Sequence, residues 1–145
     1  MGDLFLVDKY KHLEMIQNII QRMATNSFML KGWAVTLIVA IFALADKDMN
    51  QNYFGLTYIP AITFWFLDSY YLQLERKFKM LYDIVRQKAV VDFDLNIQDL
   101  NYKKTTDTKL RYLNCLFATC EWLFYMPLMI ILTFIFQQPI LSFLK

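Results

Sequence analysis

Three apolar stretches dominate the pattern of hydrophobic and polar positions along the chain. Uncharged residues run over 32–45 and 53–67, separated by the polar turn DKDMNQN, and a third run lies between Glu121 and Gln137. At 1.5 Å per residue, each of the first two covers roughly 21–23 Å, less than the ~30 Å hydrocarbon core of a bilayer. To span a membrane, the first two helices must therefore extend past the charges that border them, Lys31 and Asp68.

These bordering charges lie at equal depth in the predicted helices. Lys31 and Asp68 are the same number of residues from the turn centre near 49–50, so an antiparallel hairpin places the ammonium beside the carboxylate. Glu121 is also fourteen or fifteen residues from the outer end of its helix, and the three charges sum to −1 if all ionise. Because ionisable groups at membrane depth are costly, we expect this charged layer to fix helix register. The alternatives are an ion or proton path and simple snorkelling at the boundary.

An amphipathic helix is predicted over residues 3–25, ahead of the first membrane helix at 27–46. Apolar residues recur there every three or four positions, and charged residues lie largely elsewhere. Thr25, Asn26 and Ser27 are expected to break or cap this helix. His12 falls among polar positions and is expected to be exposed.

Small residues form a stripe on the first membrane helix. Its members share one face and let a neighbouring backbone approach closely: Gly32, Thr36, Ala40 and Ala43. Packing within the chain and packing between subunits are equally good interpretations.

The second membrane helix is predicted to continue into the cytoplasm, over 53–90. No Gly or Pro interrupts the sequence after Asp68, so one helix of roughly 35 residues would project about 25 Å beyond the membrane as a stalk. Its apolar positions alternate in steps of four and three, as in a coiled-coil seam: Leu67, Tyr71, Leu74, Phe78, Leu81 and Val85. This seam requires cover from the N-terminal helix, another subunit, or both.

The helical pattern stops over 91–109 and resumes in a third membrane helix over 110–136. Alternating polar and apolar residues at 92–97 could make a short strand or an ordered turn that docks on the stalk. In the third helix one face is expected to point into protein, and it carries Asn114, Ala118, Glu121 and Tyr125. The sequence thus predicts an all-α membrane protein with three transmembrane helices, an N-terminal amphipathic helix and a helical cytoplasmic stalk, all in one domain of 145 residues.

Charge distribution predicts the topology. The turn between the first two helices holds one lysine, Lys47, whereas the N-terminal segment, the stalk and the loop after it hold most of the lysines and arginines. Under the positive-inside rule the N-terminus is cytoplasmic and the C-terminus lies outside.

Composition favours a membrane protein and narrows the chemistry. Apolar residues make up 57% and charged residues 19% of the chain, and the apolar residues come in runs. A net charge of +2 with no basic-aromatic cluster argues against nucleic acid. The spacing of Cys115 and Cys120 fits neither a metal pair nor a disulfide, and no catalytic motif appears. We therefore expect no enzyme activity and no cofactor, and interpret both cysteines as packing residues.

The segments RMATNSFMLKGWAVTLIVAIFALA and FWFLDSYYLQLERKFKMLYDIVR, within residues 22–86, resemble SLATT-type hairpin effectors encoded at bacterial anti-phage loci. This resemblance implies a homo-oligomeric effector of the bacterial inner membrane that forms or gates a pore in antiviral defence. The third membrane helix departs from the two-helix pattern of that group. The alternatives are a non-conducting anchor or scaffold for a cytoplasmic protein partner, and a small ion carrier that uses Glu121.

Overall fold

A computed structural model describes residues 2–44, 55–88, 92–97 and 110–143 of the 145-residue chain, with side chains placed over 6–43, 55–88, 92–97 and 110–135. Four α-helices form its regular structure: α1 over Gly2–Leu44, α2 over Tyr58–Gln87, α3 over Tyr112–Leu116 and α4 over Thr119–Phe143. The described part of the chain contains no β-strand. The all-α class expected from the sequence is therefore confirmed for these residues.

Helix α1 runs without interruption for 43 residues. The break expected at Thr25, Asn26 and Ser27 is wrong, because residues 3–25 and 27–44 of the two predicted segments belong to one helix; residues 45 and 46 lie outside the described part of the chain. These three residues are only mildly poor helix formers. Tertiary packing of the residues on either side outweighs that cost, since Ile20 and Ala34 are both buried.

Helix α2 packs antiparallel along α1 in a single register. Ile38 and Ala61 belong to one core cluster, Lys31 meets Asp68 further along, and Ile20 and Leu81 belong to a second cluster. The residue numbers of these partners add up to about one hundred throughout, which is the register that counting from 49–50 in the sequence predicts. Lys9 Nζ donates to the carbonyl of Lys88 at 3.0 Å and extends the pairing to the far end of the helices.

The third apolar segment is not one helix. Helix α3 ends at Leu116, and Phe117 and Ala118 separate it from α4. The prediction of a continuous helix over 110–136 is wrong at this point, and α4 also extends further, to Phe143.

Side chains of α2 bind one backbone carbonyl just before α3 and one at its end. Trp65 Nε1 donates to Leu116 O at 3.1 Å, and Gln73 Nε2 donates to Leu110 O at 2.9 Å. Helix α4 then runs antiparallel to α2, where Tyr58 and Thr133 share a hydroxyl hydrogen bond of 2.9 Å.

Residues 92–97, here called the strap, pack against the N-terminal half of α1 and the C-terminal half of α2. The short-strand alternative is wrong, because these residues have no regular structure, whereas the ordered turn docked on α2 is present. Leu95 and Ile97 pack on the buried cluster beneath. Phe93 has a φ of 51°, uncommon for a residue with a side chain and favoured there by two Asx turns around Asp92 and Asp94.

Two separate apolar cores result. The arm core lies between the N-terminal half of α1 and the C-terminal half of α2, and its buried members are Ile16, Ile20, Leu81 and Val85. The outer core lies where α1, α2 and α4 meet, with Ile38, Ala61 and Leu132 buried. Lys31, Asp68 and Glu121 lie between these two cores.

One helix in the described part of the chain, over Leu6–Ala43, is long and apolar enough to cross a membrane, with a hydropathy of 1.5 in its most apolar window. A shorter apolar helix covers Thr119–Ile135. Much of the apolar surface of both is exposed, for example Trp33 at 59% and Leu123 at 76%.

Candidate functional site

Three helices each contribute one charged side chain to a buried cluster. Lys31 from α1 forms ion pairs with Asp68 from α2 and with Glu121 from α4, the latter at 3.3 Å. Asp68 and Glu121 are 0% and 1% exposed. The structure thus brings together the three residues that the equal-depth count placed in one layer, and the register of α1 against α2 explains why Lys31 meets Asp68.

Asp68 is surrounded by hydrogen-bond donors. Ser27 Oγ donates to its Oδ1 at 2.5 Å, while Lys31 Nζ and the Tyr125 hydroxyl donate to its Oδ2, the hydroxyl at 3.3 Å. Each of these groups stabilises an ionised carboxylate. The sequence pattern predicts Tyr125 on the inward face of its helix. It does not predict the contact of Ser27, whose residue type in that position indicates only a helix break or cap.

Glu121 has fewer hydrogen-bond donors around it than Asp68 has. Its Oε1 accepts from Lys31 Nζ at 3.3 Å and from the Cys120 thiol at 3.8 Å. Its Oε2 is buried and has no hydrogen-bond partner among the described residues. An unsatisfied buried carboxyl oxygen is costly, so Glu121 is the least compensated member of the cluster.

Lys31 is the member that is partly open. Its side chain is 20% exposed, and its ammonium lies 5.9 Å from the ring centroids of both Phe124 and Tyr125. It also lies 3.3 Å from Ser27 Oγ, one turn earlier on the same helix. One cation therefore serves two carboxylates and two aromatic faces.

Aromatic packing holds α4 against α2 at the level of the cluster. Trp65 stacks on Tyr125 with a centroid distance of 6.2 Å and meets Phe117 edge-on at 6.3 Å. Ser69, fully buried, donates to the Trp65 carbonyl at 2.7 Å. On the predicted inward face of the third helix Ala118, Glu121 and Tyr125 are buried as expected, but Asn114 is exposed.

The predicted seam is buried at its C-terminal end and exposed at its N-terminal end. Leu81 and Val85 are buried in the arm core, and Phe78 packs against it. Tyr71 and Leu74 are half-buried, whereas Leu67 is 41% exposed. Of the covers that the sequence left open, the N-terminal half of α1 therefore supplies the one over the end of the seam at 78–85, and cover by another subunit stays a prediction.

The small-residue stripe faces away from the rest of the chain. Gly32, Thr36, Ala40 and Ala43 are all exposed, and Ala34 and Ile38 face inward instead. Of the two interpretations drawn from sequence, packing within the chain is wrong for these residues. Packing between subunits stays a prediction.

His12 is buried, contrary to the expectation of an exposed side chain. The strap covers it: Nε2 donates to Asp94 O at 3.1 Å, and the ring lies 5.4 Å from the Phe93 ring. Nothing in the sequence near His12 signals this, because the covering residues are 82 positions away. Beside it, the hydrogen bond from Lys88 Nζ at 2.7 Å, with help from the Asp94 N–H, holds the pKa of Asp92 below its usual value.

Chemically, the cluster holds one basic and two acidic side chains in contact with one another. The described residues include no group of three or more His, Cys, Asp or Glu side chains arranged to hold a metal ion. No family model matches the chain, and neither do the curated proteins or the solved structures compared with it.

Proposed function

We propose that the chain is an oligomeric membrane effector, which inserts as far as the charged cluster and forms or gates a pore between copies. The distribution of charge supports the insertion depth. No charged residue occurs over 32–44, 55–67 or 122–143, so all three long helices become uncharged on the same side of the cluster. On the other side, α2 alone carries exposed ion pairs at Glu75 with Lys79 and at Asp83 with Arg86.

Exposed aromatic side chains mark the same level. They lie on α1, α2 and α4 within about two helical turns of the cluster, as Trp and Tyr do at membrane interfaces. The set comprises Phe28, Trp33, Phe66, Tyr70 and Trp122, each more than 40% exposed. With lysines and arginines concentrated on the arm side, the arm would lie in the cytoplasm of a bacterial cell and α4 would end outside.

The exposed stripe carries the oligomer. Gly32, Thr36 and Ala40 present a narrow, flat surface on α1 that no part of the described chain covers. In lipid, such surfaces associate because small residues allow close backbone contact. Since Asp68 and Glu121 are sealed within one chain, a conducting path would run between copies, along surfaces of this kind.

Cysteine cross-linking along α1 tests this proposal. In a Cys120→Ser background, Thr36→Cys should form a disulfide-linked dimer in native membranes, whereas Val35→Cys, at the same depth but about 100° round the helix, should not. Purified protein in vesicles should release trapped ions. Gly32→Leu places a bulky side chain in the stripe of small residues and should reduce both cross-linking and ion release. Equal cross-linking at positions 35 and 36, with no ion release, would overturn the proposal.

A second candidate is a non-conducting anchor for a cytoplasmic protein. Near the start of α1, beyond the arm core, Leu6, Val7 and Tyr10 are 49%, 47% and 69% exposed, which supplies an apolar surface for a partner. Under this function the vesicles stay sealed, and Tyr10→Asp abolishes capture of the partner without affecting membrane insertion.

A further inference from the structure

The cluster of Lys31, Asp68 and Glu121 has one fewer positive charge than it needs. A single ammonium faces two carboxylates that are 0% and 1% exposed, and no other cation lies within ion-pair distance of them among the described residues. An uncompensated charge buried at this depth is strongly unfavourable. Binding one proton makes the cluster neutral without any change in helix packing.

The hydrogen bonds indicate which carboxylate takes the proton. Asp68 accepts hydrogen bonds from Ser27, Lys31 and Tyr125, so both of its oxygens have donors. Glu121 Oε2 is buried and has no hydrogen-bond partner among the described residues. Loss of its negative charge therefore relieves the larger desolvation cost at Glu121.

We propose that this cluster is a binding site for one exchangeable proton, held by the carboxyl group of Glu121. A carboxylate oxygen of Glu121 takes the proton from a hydronium ion, which is left as water, and the cluster passes from a net charge of −1 to zero. Lys31, whose side chain is 20% exposed, is the member through which the cluster reaches water. The charged and titratable groups around Glu121 on the packed elements are Lys31 on α1, Asp68 on α2, Cys115 on α3, and Cys120 and Tyr125 on α4. Arg76 on α2 lies behind Cys115, to whose sulfur its Nη1 donates at 3.5 Å.

This site does not depend on pore formation or on oligomerisation. A chain that conducts nothing would still hold the proton, and a pore-forming chain could have an ionised Glu121. The two proposals can therefore fail separately. The proton site is tested by the NMR signal of a carboxyl group, whereas the pore is tested by cross-linking and ion release.

The chain offers a direct test, because its only glutamates are Glu14, Glu75 and Glu121. Full-length protein labelled with ¹³C at the glutamate δ-carbon and placed in lipid bilayers gives three carboxyl signals by solid-state NMR. At neutral pH two should be at the position of a carboxylate and one at that of a carboxylic acid. The protonated signal should vanish in Glu121→Gln and remain in the matched control Glu75→Gln, which removes a glutamate paired with Lys79 outside the cluster.

A second variant separates a proton site from a merely buried carboxyl group. Asp68→Asn leaves Lys31 with Glu121 alone, so the charges already balance and the Glu121 signal should move to the ionised position. Should Glu121→Gln fail to fold, Glu14→Gln and Glu75→Gln assign the third signal by elimination. Three ionised signals in the unaltered protein at neutral pH would overturn the proposal, as would a protonated signal that survives Glu121→Gln.

Discussion

The two apolar cores of this protein are stabilised by different physics. The arm core, around Ile16 and Leu81, is enclosed by charged outer surfaces and by the strap, in the manner of a small soluble helix pair. The outer core, around Ile38 and Leu132, lies beneath helices whose outer surfaces are apolar as well. Burial from water drives the first core, whereas in a bilayer the second relies on close packing and on polar contacts such as that of Tyr58 with Thr133.

The charged cluster lies between the two cores and belongs to neither, so its ion pairs are expected to hold the three helices together at that level. The largest expected effect follows from removing Lys31. Lys31→Met leaves the buried carboxyl groups of Asp68 and Glu121 facing each other without their shared cation, and should destabilise the fold by ~3–5 kcal/mol, as for broken buried pairs. Asp68→Asn should cost less, because Glu121 at 3.3 Å still pairs with Lys31.

Unfolding in mixed detergent micelles measures this order, with the Lys31→Met, Asp68→Asn double variant as the control. The double variant should be milder than Lys31→Met alone. Equal losses in all three would show that the cluster contributes no coupling between the helices.

Cavities sharpen the comparison of the two cores. Leu81→Ala in the arm should cost ~2–5 kcal/mol, through lost burial and an empty cavity. Leu132→Ala in the outer core should cost less, on the order of 1–2 kcal/mol, because lipid replaces the transfer contribution and only packing is lost. Both residues are buried to a similar degree, at 5% and 3% exposed, so the pair is matched.

Amide hydrogen exchange in bilayers distinguishes the sites of damage. Leu81→Ala should raise exchange over 6–24 and 75–88 and leave α4 protected. If Leu132→Ala proves as costly as Leu81→Ala, the outer core is stabilised by burial from water after all.

The smallest expected effect concerns the strap. Asp92 has a folded-state pKa below its usual value of 3.8, mainly because Lys88 donates a hydrogen bond to it. Its contribution is therefore present above the unfolded-state pKa and is lost as the pH falls through the lower, folded-state value. The methyl signals of Ile97 should shift towards their undocked positions over that acidic range, and Asp92→Asn should make them independent of pH there. An unchanged acid transition in Asp92→Asn would assign it to another group.

Counting from 49–50 was sufficient to predict the pair at the centre of the cluster, since a hairpin's register is set where the chain reverses. Lys31 and Asp68 follow from that register directly. Glu121 was harder to foresee as a contact, because α4 reaches the pair only after the break at Phe117 and Ala118. No glycine or proline marks that break. It is held in place by Trp65 and Gln73, whose hydrogen bonds are tertiary and leave no local signal.

Local sequence patterns gave wrong predictions where contacts with residues distant in the chain determine the structure. His12 looks exposed beside its charged neighbours, and only the strap buries it. The weak helix formers at 25–27 suggest a boundary, but packing on both sides of them keeps α1 intact. The face that Gly32 and Thr36 occupy could be named from sequence, whereas its outward direction depends on where α2 and α4 attach.

The unbroken course of α1 has a mechanical consequence. A helix of 43 residues is about 65 Å long, and about 44 Å of it lies on the arm side of Lys31. If the helix pivots as a stiff rod at Lys31, a tilt of about 10° in the lipid displaces its far end by about 8 Å. Helix α2 passes the same level as one continuous helix of 30 residues packed antiparallel on α1, so a tilt would move the two helices together. A small change of the tilt angle at Lys31 is thereby converted into a displacement at the strap end of the pair that is large enough for a neighbouring molecule to detect.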